Sequence, residues 1–374
     1  MKILKDKKVL VSGASFAGLS TAYWMNKLGY KVTIVEIANG LKMGGTPVNI
    51  EGNTVDIVKR MGIFEQIKSN RLVMEMLEFK NADDVTEGTM ILKREGEQLR
   101  EDECEIERNT LLNILFDTVK NDVEFIFNNS ITALNETNDD VEVTFKDGSQ
   151  QAFDLVFGCD GIHSAVRKIW FGNEAGYLHF LGQYFSITIV NKLLIKQNTT
   201  QFYNVPDKVV MLNAYNNKTD IIFCFRSEKE IPYDYRDEEQ QRKIILGQFQ
   251  EQSWRTAELL DEVMNATTFY FDKLCQVKMP SWTKGRVALV GDAGYCASPA
   301  TGKGGSLAID GAAALADAFL QHNGDFELAF QDYNKNFRPF IEEVQAEAIR
   351  MGLETLVPGT EEAIRKRNTE GVGF

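Results

Sequence analysis

The chain has 374 residues, of which 44% are hydrophobic and 25% are charged, and its formal net charge is −13. A chain of this size and composition is predicted to fold into two domains with a substantial core. The acidic balance argues against non-specific binding of nucleic acids. No apolar run reaches the ~18–20 residues that a transmembrane helix needs, so no membrane span is predicted.

The five cysteines are an odd number and show no C-x-x-C spacing, and the three histidines form no pair at the spacing of metal ligands. Reduced thiols in a cytoplasmic protein are therefore predicted. The same pattern predicts no metal site.

The first predicted strand runs into a glycine-bearing turn and then a helix. Gly13 and Gly18 bracket the turn, with Ser15 where a middle glycine is common. The next predicted strand ends in Glu36, 18 residues after Gly18. A helix N-terminus offers free N–H groups to a phosphate, and an acid at this distance binds ribose hydroxyls. The order of these elements predicts a dinucleotide site; a glycine-bearing turn without ligand is the alternative.

The remaining predicted elements follow the periodicity of the apolar residues. They are a helix over 54–69, a strand-rich excursion over 72–100, a helix over 109–119, a small antiparallel sheet over 124–127, 131–134 and 141–145, and a buried strand over 154–159. Beyond 176 the chain changes to long alternating strands, among them 184–190, 208–212 and 220–226. Residues 326–356 are predicted to form a long amphipathic helix that breaks near Pro339.

Three later blocks carry further patterns. Arg108 stands at the start of a predicted helix, where the planar set of N–H donors of its guanidinium would be held in one orientation. Residues 160–167 read Asp-Gly-Ile-His-Ser-Ala-Val-Arg, in which Ser164 can cap the following helix and His163 is interpreted as a turn residue. The third block, 291–304, begins with Gly-Asp after a buried strand and ends in a proline- and glycine-bearing loop.

Together these blocks resemble the single-component flavin monooxygenases related to the aromatic hydroxylases, and most of all their tetracycline-inactivating branch. The resemblance implies FAD as cofactor. The implied FAD-binding residues are Gly13, Ser15, Ala17, Gly18, Glu36, Gly45, Asn49, Arg108, Asp160, Gly161, Arg167, Gly291, Asp292, Pro299, Gly302 and Gly304. Departures from the aromatic hydroxylases at Gly294-Tyr295, Lys303 and Ser306 alter the surroundings of the flavin ring.

The implied fold class is α/β: a Rossmann-like FAD-binding domain of the p-hydroxybenzoate hydroxylase type, with an inserted antiparallel-sheet substrate domain and a C-terminal helix. The FAD-binding domain is predicted to comprise 1–71, 101–175 and 276–325. The substrate domain is predicted to comprise 72–100 and 176–275, and the C-terminal helical segment 326–374.

The implied reaction is the transfer of one oxygen atom from O₂ to a polycyclic or phenolic small molecule, with inactivation of tetracycline as one possibility. No second dinucleotide motif occurs, so NADPH or NADH is expected to dock transiently as co-substrate to a monomeric enzyme. No side chain is assigned as catalytic, because the flavin hydroperoxide would carry the chemistry. Candidate substrate contacts are Phe185, Met211, Phe223, Phe225, Arg226, Tyr295 and Pro299, with core packing as the alternative for the aromatic residues.

Three other functions stay open on the sequence. A biosynthetic or catabolic aromatic hydroxylase would share the fold and differ only in its pocket. A flavin-binding redox sensor or ligand-sequestering protein would bind without turnover. A flavin reductase-type dehydrogenase acting on an isoprenoid would add no oxygen to its product.

Overall fold

The structure is a computed structural model that describes residues 7–94, 100, 102–172 and 176–370. The predicted domain segments extend beyond these residues at 1–6, 95–99, 101, 173–175 and 371–374, which lie outside the described part. The described residues form nineteen strands in four sheets, together with eleven α-helices. None of the helices in this part of the chain is long and apolar enough to cross a membrane.

The strands are β1 (Lys8–Ser12), β2 (Lys31–Val35), β3 (Val48–Glu51), β4 (Arg71–Leu72), β5 (Met76–Lys80), β6 (Thr86–Ile91), β7 (Glu103–Ile106), β8 (Glu124–Ile126), β9 (Ile131–Glu136), β10 (Val141–Phe145), β11 (Gln150–Phe153), β12 (Leu155–Gly158), β13 (Leu178–Val190), β14 (Thr199–Val205), β15 (Lys208–Tyr215), β16 (Lys218–Arg226), β17 (Thr268–Val277), β18 (Thr283–Lys284) and β19 (Val287–Leu289). The helices are α1 (Phe16–Lys27), α2 (Asn53–Arg60), α3 (Phe64–Ser69), α4 (Arg108–Asp117), α5 (Glu238–Phe249), α6 (Thr256–Asn265), α7 (Asp292–Tyr295), α8 (Gly304–Gln321), α9 (Phe326–Glu347), α10 (Leu353–Leu356) and α11 (Glu361–Glu370).

The first sheet has the order β18-β19-β12-β1-β2-β8, and all its pairs are parallel except β18 with β19. Val9, Leu10 and Val11 of β1 are fully buried, as a strand covered on both faces requires. The prediction that 124–127 belongs to the small antiparallel sheet is wrong, because β8 pairs with β2 at the edge of the parallel sheet. The antiparallel sheet consists of β11-β10-β9.

The largest sheet has the order β17-β13-β16-β15-β14-β5-β6. The predicted strands at 184–190, 208–212 and 220–226 lie within β13, β15 and β16, so these three predictions are confirmed. Strands β5 and β6 form the end of this sheet opposite to β17, and β5 pairs with β14 in parallel. One sheet therefore combines two segments that lie far apart in the chain. We call it the large sheet.

Two different surfaces cover the large sheet. One face packs against α5 and α6, with Phe249 and Leu259 among the buried contacts. The other face carries Phe185 and Phe202, and it shares an apolar cluster with Ala300 of the 291–304 block. We call this second face the cleft face, because it lies toward the parallel-sheet domain. Helices α5 and α6 interrupt the segment for which the sequence indicated only strands.

Helix α9 passes through Pro339 without ending, contrary to the predicted break. Proline in a helix interior costs about 3 kcal/mol. The apolar stripe of α9, which includes Phe330, Tyr333, Phe337 and Ile341, is buried on both sides of the proline, and this packing holds the helix together. The regular α-helical geometry is interrupted instead by a π-helical turn over Ala348–Gly352. The predicted helix over 54–69 is two helices, because Gly62 between them has a φ of 75°.

Helix α8 carries a buried carboxyl group, Asp310, which accepts a 2.8 Å hydrogen bond from the hydroxyl of Thr54. Burial raises the pKa of Asp310 to about 7. The folded protein therefore keeps a proton that the unfolded chain releases at about pH 4. As the pH rises between these values, the unfolded state binds fewer protons than the folded state, so the free energy of unfolding falls.

We expect Asp310→Asn to remove this pH dependence. Between pH 5.5 and pH 8, the free energy of unfolding of the wild type should fall by about 2 kcal/mol more than that of the variant. Urea unfolding of both proteins at the two pH values measures the difference. Parallel pH dependences in the two proteins would contradict the assignment to Asp310.

Candidate active site

The turn between β1 and α1, residues 13–18, is built around two glycines. Gly13 has a φ of 105°, and a Cβ there would lie 2.6 Å from the carbonyl oxygen of Cys159. A Cβ on Gly18 would lie 1.8 Å from the carbonyl oxygen of Gly13. Both positions thus exclude any larger residue. The first N–H groups of α1 follow directly, after Ser15 at its N-cap.

Glu36 closes this turn. Its carboxylate accepts hydrogen bonds from the backbone N–H of Ala14 at 2.8 Å and of Ala38 at 2.9 Å. The Gly13 N–H donates to the carbonyl of Val35 at 2.8 Å. The acid predicted from its distance along the chain therefore lies beside the glycine turn, directly after β2 of the parallel sheet.

Arg108 is the first residue of α4, and its guanidinium joins three segments. It donates to the carbonyl oxygens of Lys42 at 3.1 Å and Gly44 at 2.8 Å, and to the hydroxyl of Ser15 at 3.1 Å. Gly45 has a φ of 97°, and a Cβ there would lie 2.6 Å from the Arg108 side chain. Burial lowers the pKa of Arg108. The loop at 42–45 is thereby held against the glycine turn.

Residues 160–167, which we call the Asp160 turn, follow β12. The Asp160 carboxylate accepts bonds from the Ser164 hydroxyl at 2.5 Å and from two backbone N–H groups at 2.8 and 3.1 Å. The predicted capping by Ser164 is confirmed, since its hydroxyl accepts the N–H of Arg167 at 3.0 Å. Gly161 has a φ of 75°, as a tight turn requires. Burial raises the pKa of Asp160.

Arg167 is fully buried and connects the Asp160 turn to the next block. Its guanidinium donates to the carbonyl oxygens of Ala293 at 2.8 Å and Ile162 at 2.5 Å. In this structure Asp160 and Arg167 thus bond to backbone groups of the two turns. Their predicted contacts with the cofactor stay predictions.

Residues 291–295, the Gly291 turn, form the first part of the last block. Gly291 has a φ of 69°, and a Cβ there would lie 2.9 Å from the Cβ of Ala17 in α1. Burial raises the pKa of Asp292, although the positive charges of Arg167 and Arg108 act in the opposite direction. The Gly291 turn therefore lies against the first turn of α1, and its carboxyl is near enough to Arg167 and Arg108 to interact electrostatically with both.

The Pro299 loop, residues 298–304, leads into α8. Pro299, Gly302 and Gly304 are exposed along its edge, and Gly302 is left-handed with a φ of 66°. Ser298 is buried with a φ of 95°, a conformation that costs a non-glycine residue free energy and occurs most often at ligand sites. Asn49 lies on β3, where its carbonyl accepts the hydroxyl of Ser306 from the first turn of α8.

The predicted FAD-binding residues therefore come together on one side of the parallel sheet. Gly13 and Gly18 bring no side chain to the glycine turn, and the helix start behind it favours the negative charge of a pyrophosphate. Arg108 and Asp292 are close enough to affect each other's ionisation. These residues fit FAD: the glycine turn and Glu36 would hold its adenosine and pyrophosphate portions, and Arg108, Asp292 and the Pro299 loop its flavin portion.

The predicted substrate residues separate into two groups. Phe185 and Met211 lie on the cleft face. Phe223 and Phe225 lie on the opposite face, fully buried against Phe249 of α5, because alternate residues of β16 point to opposite sides. The structure therefore corrects the expectation that Phe223 and Phe225 face the substrate.

Tyr295 and Arg226 contact other parts of the fold. Tyr295 is 1% exposed and packs on Trp282, with its hydroxyl 3.1 Å from that of Tyr333. Arg226 donates to the carbonyl of Val357 at 2.6 Å and pairs with Glu354 of α10. Tyr295 is thus a core residue, and Arg226 holds the C-terminal segment against the large sheet.

The C-terminal segment closes one end of the cleft face. Leu353, Leu356 and Val357 join its apolar cluster. Arg367 of α11 donates to Asn204 at 2.5 Å and lies over the rings of Phe79 and Phe202. Burial lowers the pKa of Arg367 to about 10.

Two residues of β17, Tyr270 and Asp272, were missed in the sequence. Tyr270 packs on Phe185 at a ring distance of 5.6 Å, and Asp272 lies 2.8 Å from His163 of the Asp160 turn. The alternation of side chains along residues 268–277 is the only sequence signal for these two residues. This alternation does not tell which face of the strand is turned to the cleft. In the described part of the chain, no group of three or more His, Cys, Asp or Glu side chains is arranged to hold a metal ion.

Comparison with known proteins agrees with this geometry. Residues 6–346 match the family model described as an FAD binding domain. A flavin-dependent monooxygenase of Legionella longbeachae is 36% identical over 343 residues, covering 90% of this chain and 87% of that protein. The crystal structure of the tetracycline destructase Tet(51) superposes with a TM-score of 0.88 at 35% identity, covering 97% of this chain and 95% of that one.

The crystal structure of the tetracycline destructase Tet(55) superposes with a TM-score of 0.85 at 33% identity, over 99% of this chain and 96% of that one. The similarity thus extends over both the parallel sheet and the large sheet. It includes each of the four sequence blocks. The chain belongs to the family of FAD-dependent monooxygenases with a p-hydroxybenzoate hydroxylase-like fold.

Proposed function

We propose that this monooxygenase consumes NADPH or NADH and inserts one oxygen atom from O₂ into a polycyclic or phenolic small molecule, and that tetracyclines are its substrates. The observation that carries the proposal is the whole-chain similarity to two tetracycline destructases at 35% and 33% identity. Both similarities include the large sheet, whose cleft face would contact the substrate.

The cleft supports a flat, ring-bearing substrate. Phe185 and Met211 supply an apolar surface, and the half-buried Tyr270 adds a hydroxyl group beside them. Ala300 of the Pro299 loop belongs to the same apolar cluster, so this loop packs against the cleft face. When bound, FAD supplies the electron transfer and the activation of O₂. The residues of this chain would then bind the substrate, orient it and exclude water.

The nicotinamide co-substrate has no dinucleotide site of its own in the sequence. We infer that it docks only transiently, next to the flavin, and leaves after reduction. We propose a monomer as the working form, as predicted from the sequence. All five cysteines are buried in the structure. Their odd number and the lack of C-x-x-C spacing support reduced thiols and a cytoplasmic location.

The test is aerobic oxidation of NADPH and of NADH by the purified FAD-bound protein, with and without tetracycline, followed by the mass of the tetracycline product. We expect faster oxidation and a product that has gained one oxygen atom. The variant Gly18→Ala, expected to lack FAD, serves as the control for oxidation that does not depend on this site.

Other outcomes discriminate between the remaining functions. Faster oxidation with unchanged tetracycline would favour a hydroxylase of other phenolic substrates, because the flavin would respond to a ligand that it does not oxygenate. Absence of oxidation with every phenolic ligand tested would favour a flavin-binding protein without turnover. A product changed in mass without oxygen gain would favour a dehydrogenase.

A further inference from the structure

The turn between β15 and β16 reaches from the large sheet to the start of α4. We call its residues, 215–218, the hairpin tip. Asn216 and Asn217 have φ values of 45° and 60°, as the two central residues of a tight type I′ turn require. The Asn216 amide donates to Oε2 of Glu107 at 3.2 Å, and the Lys218 ammonium donates to Oε1 of the same carboxylate. Both oxygens of Glu107 are therefore bound by the hairpin tip.

A buried tyrosine and a buried aspartate brace the hairpin tip from behind. The Tyr215 hydroxyl lies 3.0 Å from each carboxylate oxygen of Asp220, and these residues are 1% and 0% exposed. Tyr215 is paired with Lys218 across the hairpin, and the Lys218 ammonium lies 6.0 Å from the centroid of its ring. Because these groups are buried and bonded to one another, the hairpin tip has little freedom to follow a movement of Glu107.

The ion pair of Lys218 with Glu107 is largely withdrawn from water. The two side chains are 21% and 11% exposed. Charges at such low exposure are screened only weakly by salt. Removal of one partner leaves the other as a buried charge without compensation. The start of α4 therefore cannot separate from the hairpin tip without a new partner or water for the Glu107 carboxylate.

Glu107 is also the residue from which α4 begins, since it is the N-cap of that helix. The next two residues hold Gly44 from both sides. Arg108 donates to the carbonyl oxygen of Gly44, and Asn109 accepts the N–H of Gly44, each at 2.8 Å. The Arg108 guanidinium also donates to the hydroxyl of Ser15 in the glycine turn. A shift of the N-cap would therefore move this guanidinium relative to the glycine turn.

We propose that Glu107 and Lys218 are positioning residues for FAD. Through them the hairpin tip fixes the start of α4, and the start of α4 fixes the guanidinium of Arg108 where it would contact the flavin portion of the cofactor. Both residues act through Arg108 and need no contact with FAD themselves. The large sheet would then contribute to the retention of FAD, although every predicted FAD-binding residue lies outside this sheet.

Removal of the Lys218 charge has a specific consequence under this proposal. In Lys218→Met the Glu107 carboxylate stays largely buried and loses its cation, so the start of α4 must shift to bring the carboxylate to water. The shift carries Arg108 away from its bonds to Gly44 and Ser15, and FAD is released faster. Adding Glu107→Gln removes the charge that forces the shift. The double variant should therefore retain FAD better than Lys218→Met alone.

The competing explanation is that the contact only stabilises the fold, and that FAD is lost because the protein is less stable. Lys208→Met is the matched control. Lys208 is a half-buried residue of β15, and its ammonium donates to the carbonyl oxygen of Gln248 in α5 at 2.5 Å. The control thus removes a comparable lysine contact from the same sheet and leaves the start of α4 in place. Loss of stability alone predicts faster FAD release from both methionine variants, whereas positioning predicts it only from Lys218→Met.

The experiment uses the FAD-bound protein without NADPH, NADH or substrate. The rise of flavin fluorescence after dilution records the release of FAD, the absorbance spectrum records the surroundings of the bound flavin, and urea unfolding records stability. We expect Lys218→Met to release FAD about tenfold faster than wild type, with an altered flavin spectrum. Lys218→Arg, which keeps the charge, should release FAD within about twofold of the wild-type rate. Lys208→Met should do the same with an unchanged spectrum, because its contact is independent of α4.

Release from Lys218→Met at the wild-type rate would overturn the proposal, as would equally fast release from Lys208→Met at an equal loss of stability. Faster release from the double variant than from Lys218→Met would also overturn it, because the unpaired carboxylate would then not be the cause. Arg108→Met should release FAD at least as fast as Lys218→Met, and slower release would show that the hairpin tip does not act through Arg108. Since FAD is the only ligand used, none of these results bears on the proposed oxygenation of tetracycline.

Discussion

Replacing Gly18 by alanine is expected to give a protein that purifies without its yellow cofactor, with less than about a tenth of the wild-type FAD content. The added Cβ would lie 1.8 Å from the carbonyl oxygen of Gly13, well inside any van der Waals contact. The turn must open to accommodate it, which moves the N–H groups of α1 away from the position of the pyrophosphate. Flavin absorbance per mole of protein measures the loss.

The control for this variant is Gly247→Ala in α5, where an added Cβ meets no neighbouring atom within 4 Å. This change also replaces a poor helix former by the best one, so FAD content and stability should be maintained or improved. Full FAD retention by Gly18→Ala would mean that the glycine turn does not hold the cofactor.

Replacing Arg167 by methionine is expected to lower the free energy of unfolding by about 3 kcal/mol. The methionine keeps most of the side-chain volume but leaves the buried carbonyl oxygen of Ala293 and the partly buried one of Ile162 without the donors that they have now. The Gly291 turn also loses its connection to the Asp160 turn, so FAD binding should weaken together with stability. Urea unfolding followed by tryptophan fluorescence measures the first effect, and FAD titration the second.

Arg60→Met is the matched control. Arg60 pairs with Asp317 at the surface, where the two side chains are 45% and 48% exposed. Exposed pairs contribute at most about 1 kcal/mol, so this variant should unfold close to wild type. If both methionine variants lose the same free energy, burial of the Arg167 guanidinium is not what makes it important.

The parts of the site that could be predicted from the sequence depend on short-range geometry. Gly13, Gly18 and Glu36 are recognisable because a strand, a turn and a helix constrain each other within about thirty residues. Ser164 could be identified as a cap for the same reason, since it bonds the residue three positions later. Constraints of this kind can be recognised from the spacing of the residues in the sequence alone.

The parts that could not be predicted depend on which surfaces meet. The alternation in β16 shows that Phe223 and Ile222 point to opposite faces, but only the packing of α5 and α6 decides which face turns to the cleft. His163 and Asp272 are 109 residues apart, and no local pattern relates them. The position of Tyr295 likewise depends on Tyr333 in α9.

The way in which the large sheet is assembled has a consequence for how the protein can be made. Strands β5 and β6 precede most of the parallel-sheet domain in the chain, yet β5 pairs with β14 and β6 with β5, whereas β19 and the Gly291 turn follow the whole of the large sheet. The parallel-sheet domain is thus complete only after β19 and the Gly291 turn have left the ribosome. Contacts of such long sequence separation slow folding. Fragments that end before β19 would leave β12 as an unpaired edge of the parallel sheet, and aggregation of those fragments, rather than an independently folded domain, is the expected product of truncation.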